Sequence, residues 1–288
     1  MKTAKYLFVT LLLLLIPTVC FAQKKKLKVE KPDLAKIKAE TQDPNSEFYY
    51  PRLWKLYNAN DTVMTPEQFR YLYFGSMYQE DYNPYRKSDY SDKTDSLLNL
   101  NRAATQRRDS TFKAYQDQKL GAFELKRRYD KAKQHTIREQ QEIVRLGELA
   151  LMDNPFDLQS LYMVSRLYRD MGKSMKATIT DFRLENLLGA IISSGTGKTE
   201  DDAYVVVSPD HEYFLLEVLG YDVDDYEFKE PGYDYLAVHP IDASAIPSSK
   251  TPAGFYFDVQ PLIEQYTIKF PENTDEAPIP EGQEILIE

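Results

Sequence analysis

The chain has 288 residues, 42% of them hydrophobic and 28% charged, a balance that excludes a wholly disordered or collagen-like protein. Its formal net charge of −9 argues against nucleic-acid binding, which draws most of its affinity from Lys and Arg on phosphates. One cysteine and three histidines leave little for thiol or metal chemistry.

Residues 1–22 read as a signal peptide. Lys2 and Lys5 form a basic start, Leu7 to Ile16 an apolar run, and Cys20-Phe21-Ala22 a cleavage site before Gln23. The run is shorter than the ~20 residues of a membrane span. Val19 and Pro17 do not suit a lipid-modified Cys20. Cleavage after Ala22 leaves a cysteine-free chain of net charge −11, exported to the periplasm or secreted. Residues 23–45, with Lys24-Lys25-Lys26, read as a charged tail holding at most one short helix at Leu34 and Ile37.

A helical domain is expected over 46–192. Phe48, Leu53, Leu56 and Tyr57 recur at helical spacing. Thr65-Pro66-Glu67-Gln68 carries a cap, a first-turn proline and a capping-box glutamine, and Phe69, Leu72, Tyr73 and Met77 give that helix its apolar stripe. A loop is expected over 81–93, then charged helix to Asp153 with a break at Gly121. Asp153-Asn154-Pro155 ends it. Two further helices follow, one stopped by Gly172 at the position where a left-handed residue is wanted, the other running from Ser174 to Ile192.

At Ser193 the pattern changes to a small α+β domain over 193–270. Its expected parts are a turn at Gly195 and Gly197, strands over 203–207, 233–238 and 254–259, and short helices over 213–219 and 261–266. Residues 271–288 read as a disordered acidic tail.

Motifs that invite chemistry fall short of it. Gly195-Thr196-Gly197-Lys198-Thr199 ends like a phosphate-binding loop, but Ile192 stands where the first glycine belongs and Glu200-Asp201-Asp202 would repel a triphosphate. Asp210-His211-Glu212 are consecutive, so their side chains diverge, and Asp210 is expected to cap a helix. No G-x-S-x-G is present, and the many acidic pairs read as solvated surface. No catalytic, metal-ligating or cofactor-binding residue is therefore expected. Tyrosine is the compositional oddity, 22 residues against 14 Phe and one Trp. Tyrosines fill half-buried positions with the hydroxyl on water or a carbonyl, or they form an aromatic contact face. Tyr71, Tyr73, Tyr78, Tyr82, Asn83 and Tyr85 are the candidate contact surface.

Two resemblances frame these elements. Pro155, Leu161, Val164, Ser165, Tyr168, Gly172 and Ala177 resemble one tetratricopeptide-type repeat, although Asp181 and Leu184 depart from it. More extensively, Phe48-Tyr49-Tyr50-Pro51-Arg52-Leu53, Asn60-Asp61-Thr62, Tyr71-Leu72-Tyr73-Phe74-Gly75, Gln79-Glu80-Asp81-Tyr82-Asn83-Pro84-Tyr85, Tyr233-Asp234-Tyr235-Leu236 and Phe255-Tyr256-Phe257-Asp258-Val259 resemble an uncharacterised exported family of Bacteroidota, domain of unknown function 4919. The likeness covers roughly 32–268, with extra residues near 93–120 and 240–252. It implies a tetratricopeptide-like helical body and no activity.

The expectation is an α+β protein: mainly α-helical hairpins, tetratricopeptide-like, followed by a small C-terminal α+β cap. Its role is that of an exported protein-interaction or structural module whose partner is another envelope protein or a glycan, with neither nucleic acid nor nucleotide. The alternative is a glycan-binding or hydrolytic accessory protein using tyrosine clusters and acidic loops. A protein-binding groove would be lined by apolar and amide groups; a glycan site would need flat exposed rings flanked by carboxylates.

Overall fold

A computed structural model describes residues 29–86, 88–98, 125–241 and 251–271. The expected signal peptide, the expected break at Gly121 and nearly all of the acidic tail lie outside these residues.

The elements run α1 (Leu34–Gln42), α2 (Tyr50–Asn58), α3 (Pro66–Gly75), a 3₁₀ turn (Ser76–Tyr78), α4 (Asp89–Leu97), α5 (Leu125–Gln134), α6 (Ile137–Asp153), α7 (Leu158–Asp170) and α8 (Ser174–Ile192). A second 3₁₀ turn (Glu200–Asp202) leads to β1 (Tyr204–Val205), α9 (Asp210–Val218), β2 (Tyr221–Lys229), β3 (Tyr233–Pro240), β4 (Gly254–Asp258) and α10 (Gln260–Lys269). The fold is α+β, a helical body with a small four-stranded sheet of order β1-β4-β3-β2. β1 runs parallel to β4, and the other neighbours pair antiparallel. Among the described residues no helix is long and apolar enough to cross a membrane.

Local chemistry sets the helix ends. Thr65 accepts from the Gln68 amide at 3.1 Å while Gln68 accepts from the Thr65 amide at 2.9 Å, the reciprocal capping box the sequence predicts. α8 starts and stops at the predicted residues, and Gly172 takes φ +72° between α7 and α8, where an L side chain would be strained. The charged stretch after the predicted loop behaves differently. Ser88 caps α4 within residues expected to be loop, and a second capping box, Thr136 with Glu139, divides α5 from α6. α9 begins at Asp210 with Pro209 as its cap residue, so Asp210 is the first helical residue and not the expected cap. β2 was not expected at all. Its Asp222, Asp224, Asp225 and Glu227 look like a solvated loop, yet an edge strand keeps one side in water and tolerates such charges. Of its residues only Tyr226 is buried.

α3 lies among α1, α2 and α8, and every residue from Phe69 to Gly75 is buried. α8 packs on α7, α7 on α6, and α9 lies against β2 and α7. The main core continues across position 193: Leu53, Phe69, Leu72, Leu187 and Ile191 join Val205, Leu216, Leu236 and Phe257. A smaller cluster around Ile143, Val164 and Leu167 holds α6 and α7. Within the segment read as a charged tail, residues from 29 onward are tied down. Glu30 N–H donates to Ser193 O at 2.9 Å, Arg70 donates to Glu30 O at 2.6 Å, and Lys31 pairs with buried Asp258 at 2.7 Å.

A buried polar relay joins the body to the sheet side. Val207 N–H donates to the Tyr73 hydroxyl at 3.2 Å, which lies 2.7 Å from His211 Nδ1. His211 Nε2 lies 2.9 Å from Phe156 O. A carbonyl only accepts, so Nε2 carries the proton and Nδ1 accepts from Tyr73. Tyr82 closes the set by donating to Val207 O at 2.8 Å. Tyr73→Phe takes the acceptor from the buried Val207 N–H and the hydrogen bond from His211. It is expected to cost about 1–3 kcal/mol, read as a lowered urea midpoint at unchanged slope. Tyr78→Phe, which removes a half-buried hydroxyl 3.3 Å from Leu34 O, is expected to cost no more than ~0.5 kcal/mol.

Candidate functional site

The structure divides the candidate tyrosine surface. Tyr71, Tyr73 and Tyr82 are buried, so these three offer no accessible part of the candidate contact surface; for Tyr73 this agrees with its place in the apolar stripe. The Tyr71 ring stacks on Phe48 with centroids 3.8 Å apart, and Tyr73 and Tyr82 belong to the relay. For Tyr71 and Tyr73 the physical reason is that α3, beyond its first turn, is enclosed by α1, α2 and α8. Tyr78, Asn83 and Tyr85 are half-buried. Tyr82 and Asn83 help line a cleft of about 90 Å³ with Trp54, Arg86, Asp153 and His211, and Arg86 pairs with Asp153 at 2.5 Å.

Behind this cleft lies an acid pair that residue spacing alone does not reveal. Glu212 on α9 and Asp234 on β3 are each 0% exposed, and each carboxyl perturbs the proton affinity of the other. Tyr226 on β2 donates to Asp234 Oδ1 at 2.9 Å. Two neighbouring buried carboxylates resist being ionised together, and both Glu212 oxygens and Asp234 Oδ2 lack a hydrogen-bond partner among the described residues. A shared proton therefore satisfies them. Burial, then the neighbouring Asp234, holds the Glu212 carboxyl well above its ordinary range. Burial pushes Asp234 up to about 7, against the hydrogen bonds from Tyr226 and Glu212. A parity signal was present in the sequence: Asp234 alternates in step with Leu236 and Val238, which face the core.

The glycine turn is occupied by its own chain. Thr196 and Gly197 N–H groups both donate to Asp202 O, at 2.9 and 2.8 Å, so they are committed away from any phosphate. Gly197 holds φ +68°, and a Cβ there would stand 2.6 Å from the Tyr204 ring. Among the described residues no three His, Cys, Asp or Glu side chains are grouped to hold a metal ion.

On the helical body a larger groove of about 580 Å³ runs between α2, α6 and α8 over α7. Trp54, Leu151, Met152, Val164 and Ile179 give it apolar surface; Asn58, Asn60 and Thr180 give amide and hydroxyl groups; Glu148, Lys176 and Arg183 carry charge. Glu148 accepts from Lys176 at 3.0 Å and from the Tyr168 hydroxyl. Partial burial works against its charge, and those hydrogen bonds outweigh it, holding the carboxyl below its ordinary range. Of the groove's residues, Pro155, Val164 and Tyr168 belong to the repeat-like positions of the sequence.

The family described as Domain of unknown function (DUF4919) matches residues 35–116 and 109–268, and the chain belongs to it. The two matches meet within the segment where extra residues were expected. No curated protein and no solved structure matches.

Because both acid-pair carboxyls hold protons more tightly than in the unfolded chain, the folded state binds more protons between about pH 4 and pH 7. Stability from this pair is thus present at low pH and falls as pH rises through that window. Glu212→Gln supplies a permanent N–H in place of the shared proton. The variant is expected to exceed wild type by roughly 1–3 kcal/mol at pH 8 and to lose the advantage near pH 5. A wild-type minus variant difference that stays constant from pH 5 to 8 would count against the shared proton.

Proposed function

We propose that this protein is an exported, non-enzymatic interaction module of the bacterial envelope, with tetratricopeptide-like helix pairs in α6, α7 and α8 presenting the groove to a partner protein. The observation that carries the reading is the contrast between the two polar sites. The acid pair, the group best suited to acid–base chemistry, is sealed at 0% exposure, whereas the 580 Å³ groove is open and lined by apolar and amide groups with Glu148, Lys176 and Arg183 among them. General acid–base work needs contact with a substrate; docking needs an accessible, partly apolar surface. Two tyrosines that a glycan could stack on are engaged with each other. Tyr235 and Tyr256 pack together at 4.8 Å under Lys229. The loop at Tyr78, Asn83 and Tyr85 is a second, smaller contact edge.

A photo-crosslinking amino acid at Met152, 79% exposed on the groove, tests the reading in cells. We expect a discrete adduct with a second envelope protein from position 152 and none from position 268, where Ile268 is 70% exposed on α10. Absence of any adduct from 152, or equal adducts from both, would set the groove aside. Mass spectrometry of the mature chain should find Gln23 at its N-terminus.

A further inference from the structure

We infer that Arg183 makes the groove a receptor for an extended segment of a partner protein that sets a carboxylate beside an apolar side chain. This rests on the groove being the docking face proposed above and names what that face recognises.

Three observations carry it. Arg183 projects from α8 with its guanidinium carbon 4.3 Å from the Tyr57 ring centroid, and one terminal nitrogen donates to Tyr57 O. The stacked ring and that bond hold the planar fork in one orientation, the arrangement in which guanidinium recognises carboxylate well. Its Nε is buried and has no hydrogen-bond acceptor, and among the described residues no carboxylate lies within ion-pair distance of it. A desolvated N–H left without an acceptor is a cost that a ligand oxygen would relieve.

The second observation is charge. In a chain of net charge −9, this groove carries Lys176 and Arg183 against one acid, and that acid, Glu148, is already committed to Lys176 and Tyr168. The lining thus carries a positive excess, and a partner carboxylate is drawn to it.

Third, the apolar lining sits beside the guanidinium. Ile179 is one helical turn before Arg183 on α8, and Trp54 and Met152 complete the wall. Trp54 lies nearly parallel to Tyr50 and Tyr57, with centroids 6.0 Å away in each case, and meets Phe156 edge-on. Its faces are therefore engaged with neighbours rather than offered flat to a sugar. A peptide side chain packing against the wall fits better than a pyranose stacking on it.

The chain's single tryptophan lines this groove, so occupancy is readable from its emission. A random peptide-display library selected on the full chain supplies the probe. Expected sequences carry Asp or Glu next to Leu, Ile, Phe or Met. A synthetic copy of the best should shift Trp54 emission saturably. Replacing its carboxylates with amides should weaken binding about ten-fold or more, a change that leaves the protein untouched. Arg183→Gln should weaken the acidic peptide by a similar factor and the amide peptide little. Lys176→Gln, at an exposed position, should weaken the acidic peptide by a smaller factor. Selected peptides without carboxylates, equal binding of acidic and amide copies, or no groove binder from the library would each overturn the inference. So would tighter, Arg183-dependent binding of an oligogalacturonate, which would assign the site to an acidic glycan. If the adduct at position 152 persists in Arg183→Gln while the acidic preference is absent, the docking reading stands and the carboxylate inference fails.

Discussion

The hydrogen-bond relay from Val207 through Tyr73 and His211 to Phe156 is the interaction on which the rest of the structure depends. Each member is buried, and each has its partner on a different stretch of chain: Tyr73 on α3, Phe156 ahead of α7, Val207 after β1, His211 on α9. A polar group in such a place is tolerated only while every partner is present. The relay therefore specifies how the sheet side seats on the helical body, while apolar area supplies most of the driving force. Phe156 takes part twice. Its carbonyl receives His211, and its ring meets Tyr57 edge-on at 5.7 Å, which in turn stacks under Arg183. The same packing that seats the sheet thus orients the guanidinium in the groove.

A second buried device, the Glu212–Asp234 pair, has a different logic. Two acids in a core are costly as charges and acceptable as a proton-sharing unit. Tyr226 holds one end, and desolvation keeps the proton in place through much of the neutral range. Residues of this kind attract a catalytic reading when they line a cleft. Here they are buried, and the larger concavity lies elsewhere, between α2, α6 and α8.

Much of the helical frame was legible in the sequence because its signals are local. Thr65 and Gln68, Gly172, the Asp153-Asn154-Pro155 break and the limits of α8 each depend on backbone groups within a few residues. What was not legible depends on which side of an element meets something else. Tyr71 and Tyr73 differ little by type from a tyrosine at the surface, and only the enclosure of α3 by α1, α2 and α8 decides that both point into protein. β2 was hidden by its carboxylates, since edge pairing with β3 asks little of its outer face. Asp234 could have been found by parity with Leu236 and Val238; Glu212 could not, because its pairing with Asp234 is between helix and strand. The groove was out of reach for the same reason, as Trp54, Met152 and Arg183 meet only in three dimensions.

Native-state hydrogen exchange tests the central claim most directly, that helical body and sheet are one cooperative unit joined through the relay. The account predicts that the Val207 amide, the β3 and β4 amides and the α8 amides exchange only through global unfolding, with a common opening free energy that falls together in Tyr73→Phe. Exchange of the Val207, β3 and β4 amides through a separate opening, with α8 still protected and unaffected by Tyr73→Phe, would contradict it.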